Sequence, residues 1–178
     1  MTFFWQRPLT VYLAIPMTGF DRAHMVELSR QALELAEKYG IKAWSPVLIE
    51  KVPDKRGRLF NNDNSLNWKW PLDMHAMNNS FAFINLRADE KSFGCEDEYG
   101  RHRYSEWQPV VRVSPKHAAG YKSIANYQTD IVVGTVEEAM QELSARFGTW
   151  QQRFTWKVAL LVKSGPRWLG RQIKRLFQ

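Results

Sequence analysis

The chain has 178 residues, 44% hydrophobic and 13% aromatic, enough for one well-filled core and too few for two ordinary domains. One cysteine excludes an internal disulfide, and with neither a secretory pattern nor an unbroken apolar run of about 18 residues the body is expected to be soluble and cytoplasmic. The net charge of +7 is uneven: residues 1–148 hold 18 Lys and Arg against 18 Asp and Glu, whereas residues 149–178 hold 7 and no acid, so an anionic partner belongs to the last stretch rather than to the whole protein.

After a polar and aromatic lead-in ending near Pro8, Val11 to Ile15 predicts a first buried strand. Asp21 is placed to cap a helix in which Met25, Leu28, Ala32, Leu35 and Ala36 recur at helical spacing, with Gly40 at its end. Ile41 to Ile49 reads as a second strand interrupted at Pro46, and strand, helix, strand in this order is a βαβ unit that requires a parallel sheet. Residues 50–68 are charged and Asn-rich with no period, and read either as a lid or subunit contact over a pocket or as a disordered insertion. Pro71 fits the first turn of a helix carrying Asp73 and Met77 and ending near Asn79. Strands follow at Phe81 to Leu86, Pro109 to Val113 and Asp130 to Val133, with Ser114 to Asn126 irregular. Thr135 is positioned to cap a last helix with Glu137 and Glu138 in its first turn and Gly148 behind it. The expected fold is α/β, an open parallel five-stranded sheet flanked by helices over residues 1–148.

The stretch from Ser92 to Arg101 stands where the strand Phe81 to Leu86 hands over to a helix, the place where open α/β sheets bind ligands. Gly94 lets backbone approach a ligand, Ser92 offers a hydroxyl, and a helix opening near Cys95 aims N–H groups at the same space, with Glu98 one turn in. The plainer reading is an acidic first turn, Glu96 to Glu98, that complements the helix dipole.

Val11-Tyr12-Leu13-Ala14-Ile15-Pro16-Met17-Thr18-Gly19 together with Gly94, Glu98 and Gly100 resembles the nucleoside 2-deoxyribosyltransferase-like family, over roughly residues 10–147. That family opens on a strand of the type Tyr-Leu-Ala-Gly-Pro and carries a later Gly-x-x-x-Glu-x-Gly. Three positions depart from it: Ile15 stands for Gly, Cys95 for Thr and Ser92 for Asp. A Ser at the last place resembles the deoxynucleoside 5'-monophosphate N-glycosidases, where it helps hold the 5'-phosphate.

The resemblance implies a Glu98 nucleophile attacking C1' of the sugar, oriented by Tyr12, with Asp73 serving the base and its proton. Thr18, Gly19, Ser92 and Gly94 would line the phosphate end. Without the family, Tyr12 reads equally as a half-buried strand residue and Asp73 as a favourable first-turn acid. The implied substrate is a nucleoside 5'-monophosphate, hydrolysed without a cofactor, in a homodimer whose second subunit completes the pocket through the region Tyr121 to Asn126. Alternatives are a transferase that exchanges bases and a non-catalytic nucleotide-binding module. The four histidines lie far apart and suggest no metal ligand set, and neither a Walker nor a Rossmann glycine motif is present.

In the basic tail, 149–178, Leu169, Ile173, Leu176 and Phe177 fall on one side of a helical pattern and Arg167, Arg171, Lys174 and Arg175 on the other. Three partners satisfy that pattern: an anionic membrane surface, making the protein peripheral to the membrane; the body or a second subunit; and a nucleic-acid backbone.

Overall fold

The computed structural model describes residues 8–15, 21–49, 66–89, 108–118 and 131–159. Five strands form one sheet in the order β2-β1-β3-β4-β5: β1 (Leu9–Ala14), β2 (Ile41–Trp44), β3 (Ala82–Asn85), β4 (Val110–Val113) and β5 (Ile131–Val133). Every pairing is parallel, with Tyr12 opposite both Trp44 and Phe83, and Ile84 opposite Val111. Val11, Leu13, Ile84 and Val111 are fully buried, because helices cover both faces of a parallel sheet and its strands need apolar side chains on both sides. The expected fold class, an open parallel five-stranded sheet flanked by helices, is the observed one.

The helix α1 (Arg22–Lys38) starts where Asp21 Oδ2 accepts from the backbone N–H of His24, at 3.0 Å. It ends before Gly40, whose φ of +67° only glycine adopts without cost. Its buried stripe is Met25, Ser29, Ala32 and Ala36, and its outer face carries Arg30 paired with both Glu27 and Glu34. Hydrogen bonding to Arg30 holds the Glu27 carboxyl down at about 2. At the other end of the domain, Thr135 and Glu138 close a reciprocal capping box ahead of a 12-residue helix, Val136–Phe147.

Three sequence expectations need correction. The second strand stops at Trp44 rather than Ile49: Pro46 has no N–H for a ladder, and Pro46–Ile49 instead forms a single helical turn, α2. The next helix, α3 (Leu66–Asn79), starts well before Pro71, so that proline lies inside it. Within the stretch expected to be irregular, Pro115–Ala118 is a short helix, α4. The helix Val136–Phe147 is therefore α5. Most of the proposed lid, residues 50–65, lies outside the described residues.

Beyond α5, residues 150–159 form a further helix, α6. Thr149 Oγ1 accepts from the Gln152 backbone N–H while the Gln152 side chain accepts from the Thr149 N–H, a second capping box. Trp156 packs edge-on against Phe81 and Phe147, each at 5.7 Å between ring centroids, and the half-buried Arg153 donates to the carbonyls of Phe147 and Gly148. Phe81 directly precedes β3 and donates its N–H to Thr10 at the start of β1, which puts α6 at the amino-terminal end of the sheet. Among the described residues, no helix is long and apolar enough to cross a membrane.

Candidate functional site

From β1 the chain crosses through α1 to β2 on one side, and from β2 it returns through α3 to β3 on the other. The strand order therefore reverses between β1 and β3, and the crevice outside their carboxyl ends is the ligand position in sheets of this order. Ala14 pairs with Asn85 there, and Leu86 donates its N–H to the Ala14 carbonyl at 3.0 Å. Residues 16–20 follow directly on β1, and residues 90–107 follow on the turn after β3, so the segments containing Thr18 and Gly19 and containing Ser92, Gly94 and Glu98 start from neighbouring strand ends. These five residues lie outside the described ones.

The remaining two candidates are described. Alternation along β1 turns Val11 and Leu13 to the α1 and α5 face and Tyr12 and Ala14 to the α3 face. Tyr12 is fully buried rather than half-buried, its ring stacked between Trp44 at 5.3 Å and Phe83 at 5.7 Å. Met77 of α3 packs into this aromatic group. One turn earlier on the same buried stripe is Asp73, 9% exposed. Asp73 is thus not a first-turn acid: α3 has 14 residues and no acid in its first turn, and Asp73 sits in mid-helix, facing inward, where the dipole does not account for it. An inward carboxylate on a packed helix is costly unless something polar shares its space.

The turn after β3 adds residues that the sequence did not single out. Asn85, buried, accepts from the Arg87 N–H and shapes the turn. Asp89 accepts from the Ser114 hydroxyl and from the Lys116 N–H at 3.1 Å, tying the turn after β3 to the one after β4 and capping α4. Arg112, buried in β4, donates to the Ala88 carbonyl at 3.0 Å. An arginine interrupting an apolar strand was the one available signal for this cluster; Asp89 had none, since its partners are 25 and more residues away. Between this corner and α1 lies a cleft of about 390 Å³ with His24, Leu28, Arg87, Asp89 and Lys116 among its lining. It lies on the α1 face, on the other side of the sheet from Tyr12 and Asp73. Among the described residues, no group of three or more His, Cys, Asp or Glu could hold a metal ion.

No protein-family model and no curated protein sequence matches the chain. Solved structures do match its fold. A 2-deoxyribosyltransferase from the psychrotolerant bacterium Bacillus psychrosaccharolyticus superposes with a TM-score of 0.55 at 15% identity, over 74% of this chain and 90% of that one. A conserved protein from Enterococcus faecalis V583 gives 0.51 at 17% identity, over 79% and 100%. At such identities the likeness is one of fold: the chain has the α/β fold of a 2-deoxyribosyltransferase.

Proposed function

We propose that the protein is an N-glycosidase that hydrolyses the base–sugar bond of a (deoxy)nucleoside 5'-monophosphate. The observation that carries the reading is the inward-facing Asp73 on the same face of the sheet as buried Tyr12, beside the strand reversal from which the segment bearing Glu98 starts. The fold likeness to a 2-deoxyribosyltransferase supports the same substrate class.

In this reading the Glu98 carboxylate attacks C1' as the bond from C1' to the base nitrogen breaks, and the base leaves with a proton delivered on the Asp73 side. Water then attacks C1' of the glycosyl ester and releases sugar phosphate and free Glu98. Tyr12, locked between two rings, hydrogen-bonds and orients the nucleophile. Thr18, Gly19, Ser92 and Gly94 hold the phosphate through hydroxyls and backbone N–H groups, and the pocket is completed in a homodimer.

Incubating the wild-type protein and Glu98→Ala with nucleosides and their 5'-monophosphates, and following free base by chromatography, tests this. Base is expected from monophosphates with the wild type alone. Release from unphosphorylated nucleosides, with exchange into an added free base, would instead make it a transferase, the reading the solved neighbour favours. Nucleotide binding without any base release would leave a binding module.

A further inference from the structure

Helix α6 has two unlike faces. One is docked through Trp156 on Phe81 and Phe147. The other displays Phe154, 56% exposed, and Val158, 40% exposed, one turn apart, with Trp150 at 37% in line a turn earlier. A helix that already has a buried face has no folding reason to carry large apolar side chains on its outer one, and such a stripe marks an interaction surface.

We propose that the exposed stripe of α6 is a docking surface for anionic lipid. Charge favours that occupant. Residues 149–178 hold seven Lys and Arg and no acid, while the remainder of the chain is balanced, so attraction to a negative surface is confined to this end of the molecule. Stable attachment to a membrane takes two signals, and here an apolar stripe and a basic stretch are contiguous in the chain. Beyond α6 the sequence repeats the combination, with Leu169, Ile173 and Leu176 at helical spacing among Arg171, Lys174 and Arg175. A second copy of the chain fits less well, because a two-fold interface through this end would bring together two stretches of like net charge. Nucleic acid would use the positive charge, but Val158 has neither a ring to stack on a base nor a group to bond a phosphate.

The location is as informative as the chemistry. Phe81 and Thr10 put α6 at the amino ends of the strands, whereas the candidate site is at the carboxyl ends. A protein held by α6 therefore keeps its cleft directed away from the bilayer, open to a water-soluble substrate.

Flotation of the full-length protein with phosphatidylcholine vesicles, with and without phosphatidylserine, tests the proposal. The wild type is expected to float with the anionic vesicles only and to be released by high salt. Phe154→Ser with Val158→Ser should reduce flotation at least about tenfold, since each change removes an apolar side chain from the contact. Both positions face solvent, so thermal unfolding and any glycosidase activity should be unchanged in the double variant. The salt dependence of the wild type is a readout that needs no variant. Equal flotation on neutral vesicles, flotation untouched by the double variant, or retention on DNA or RNA without flotation would each overturn it. So would a wild-type dimer that the double variant splits without a change in flotation.

Discussion

The two faces of this one sheet are built from the same strands and carry different side chains. Toward α1 and α5, β1 and its neighbours present Val11, Leu13, Ile84, Val111 and Val113, an aliphatic layer closed by Ala32, Ala36, Met140 and Leu143. Toward α3 they present Tyr12, Ala14, Phe83 and Val110, a smaller and more aromatic group that packs against Met77, with Asp73 one turn from Met77 on α3. Aliphatic side chains interdigitate without directional demands and contribute stability. A rigid ring with a hydroxyl, on the face where α3 also turns a carboxylate inward, adds directional demands that an aliphatic layer does not have.

That contrast is open to direct attack, and the largest effect should come from the aliphatic face. Leu13→Ala is expected to destabilise the fold by about 2–5 kcal/mol in a denaturant titration, leaving activity per folded molecule unchanged. The aromatic face should respond in the opposite way. Tyr12→Phe keeps the stack on Trp44 and Phe83, so stability should fall by no more than about 1 kcal/mol, whereas base release should fall on the order of tenfold through loss of the hydrogen bond proposed to orient Glu98. An equal loss of stability and activity in both variants would abolish the distinction between the faces. A change to neither layer is the third case: Thr135→Ala removes the α5 cap and should cost about 1 kcal/mol, read as a lower midpoint with an unchanged denaturant slope.

The smallest effect concerns how the helices of the aliphatic face hold together. Lys38 of α1 reaches Glu137 of α5 at 2.7 Å, and Tyr39 donates to the same carboxylate at 3.0 Å. Hydrogen bonding to Lys38, then to Tyr39, holds Glu137 below its ordinary 4.5, and the same pair raises Lys38 above 10.5. The contribution of Glu137 is thus present above about 4.5 and lost as pH falls below it. That of Lys38 is present below about 10.5 and lost as pH rises past it. The pair is exposed, so the change should be slight and screened by salt. Glu137→Gln should lower stability slightly and evenly between these limits, where the pair is charged, and so flatten the acid limb of a stability–pH curve compared with the wild type.

Local chemistry was legible wherever it acts over one turn. Asp21, Gly40 and Thr135 mark their helix ends in the sequence because a cap bonds residues two or three positions away. The five strands were legible as apolar runs, although the second was drawn too long across Pro46. The start of α3 was not legible, since Leu66 to Trp70 shows no helical period and Pro71 suggested a beginning where the structure has an interior. Asp73 changed meaning for that reason, from a first-turn acid to an inward one. The capping box at Thr149 and Gln152 is a local signal of the same kind, set at the start of a stretch whose composition is dominated by charge.

Periodicity, caps and charge counts, each a property of near neighbours, sufficed by themselves for a parallel α/β domain with a basic end. Only the tertiary structure decided which strands adjoin, and so that the order reverses between β1 and β3. It also decided that Tyr12 and Asp73 share one face, that Asp89 joins the ends of β3 and β4, and that Trp156 fastens α6 to the amino-terminal end of the sheet. Each of these joins residues dozens of positions apart. Such pairings are selected by how whole layers pack, which no short window of sequence contains.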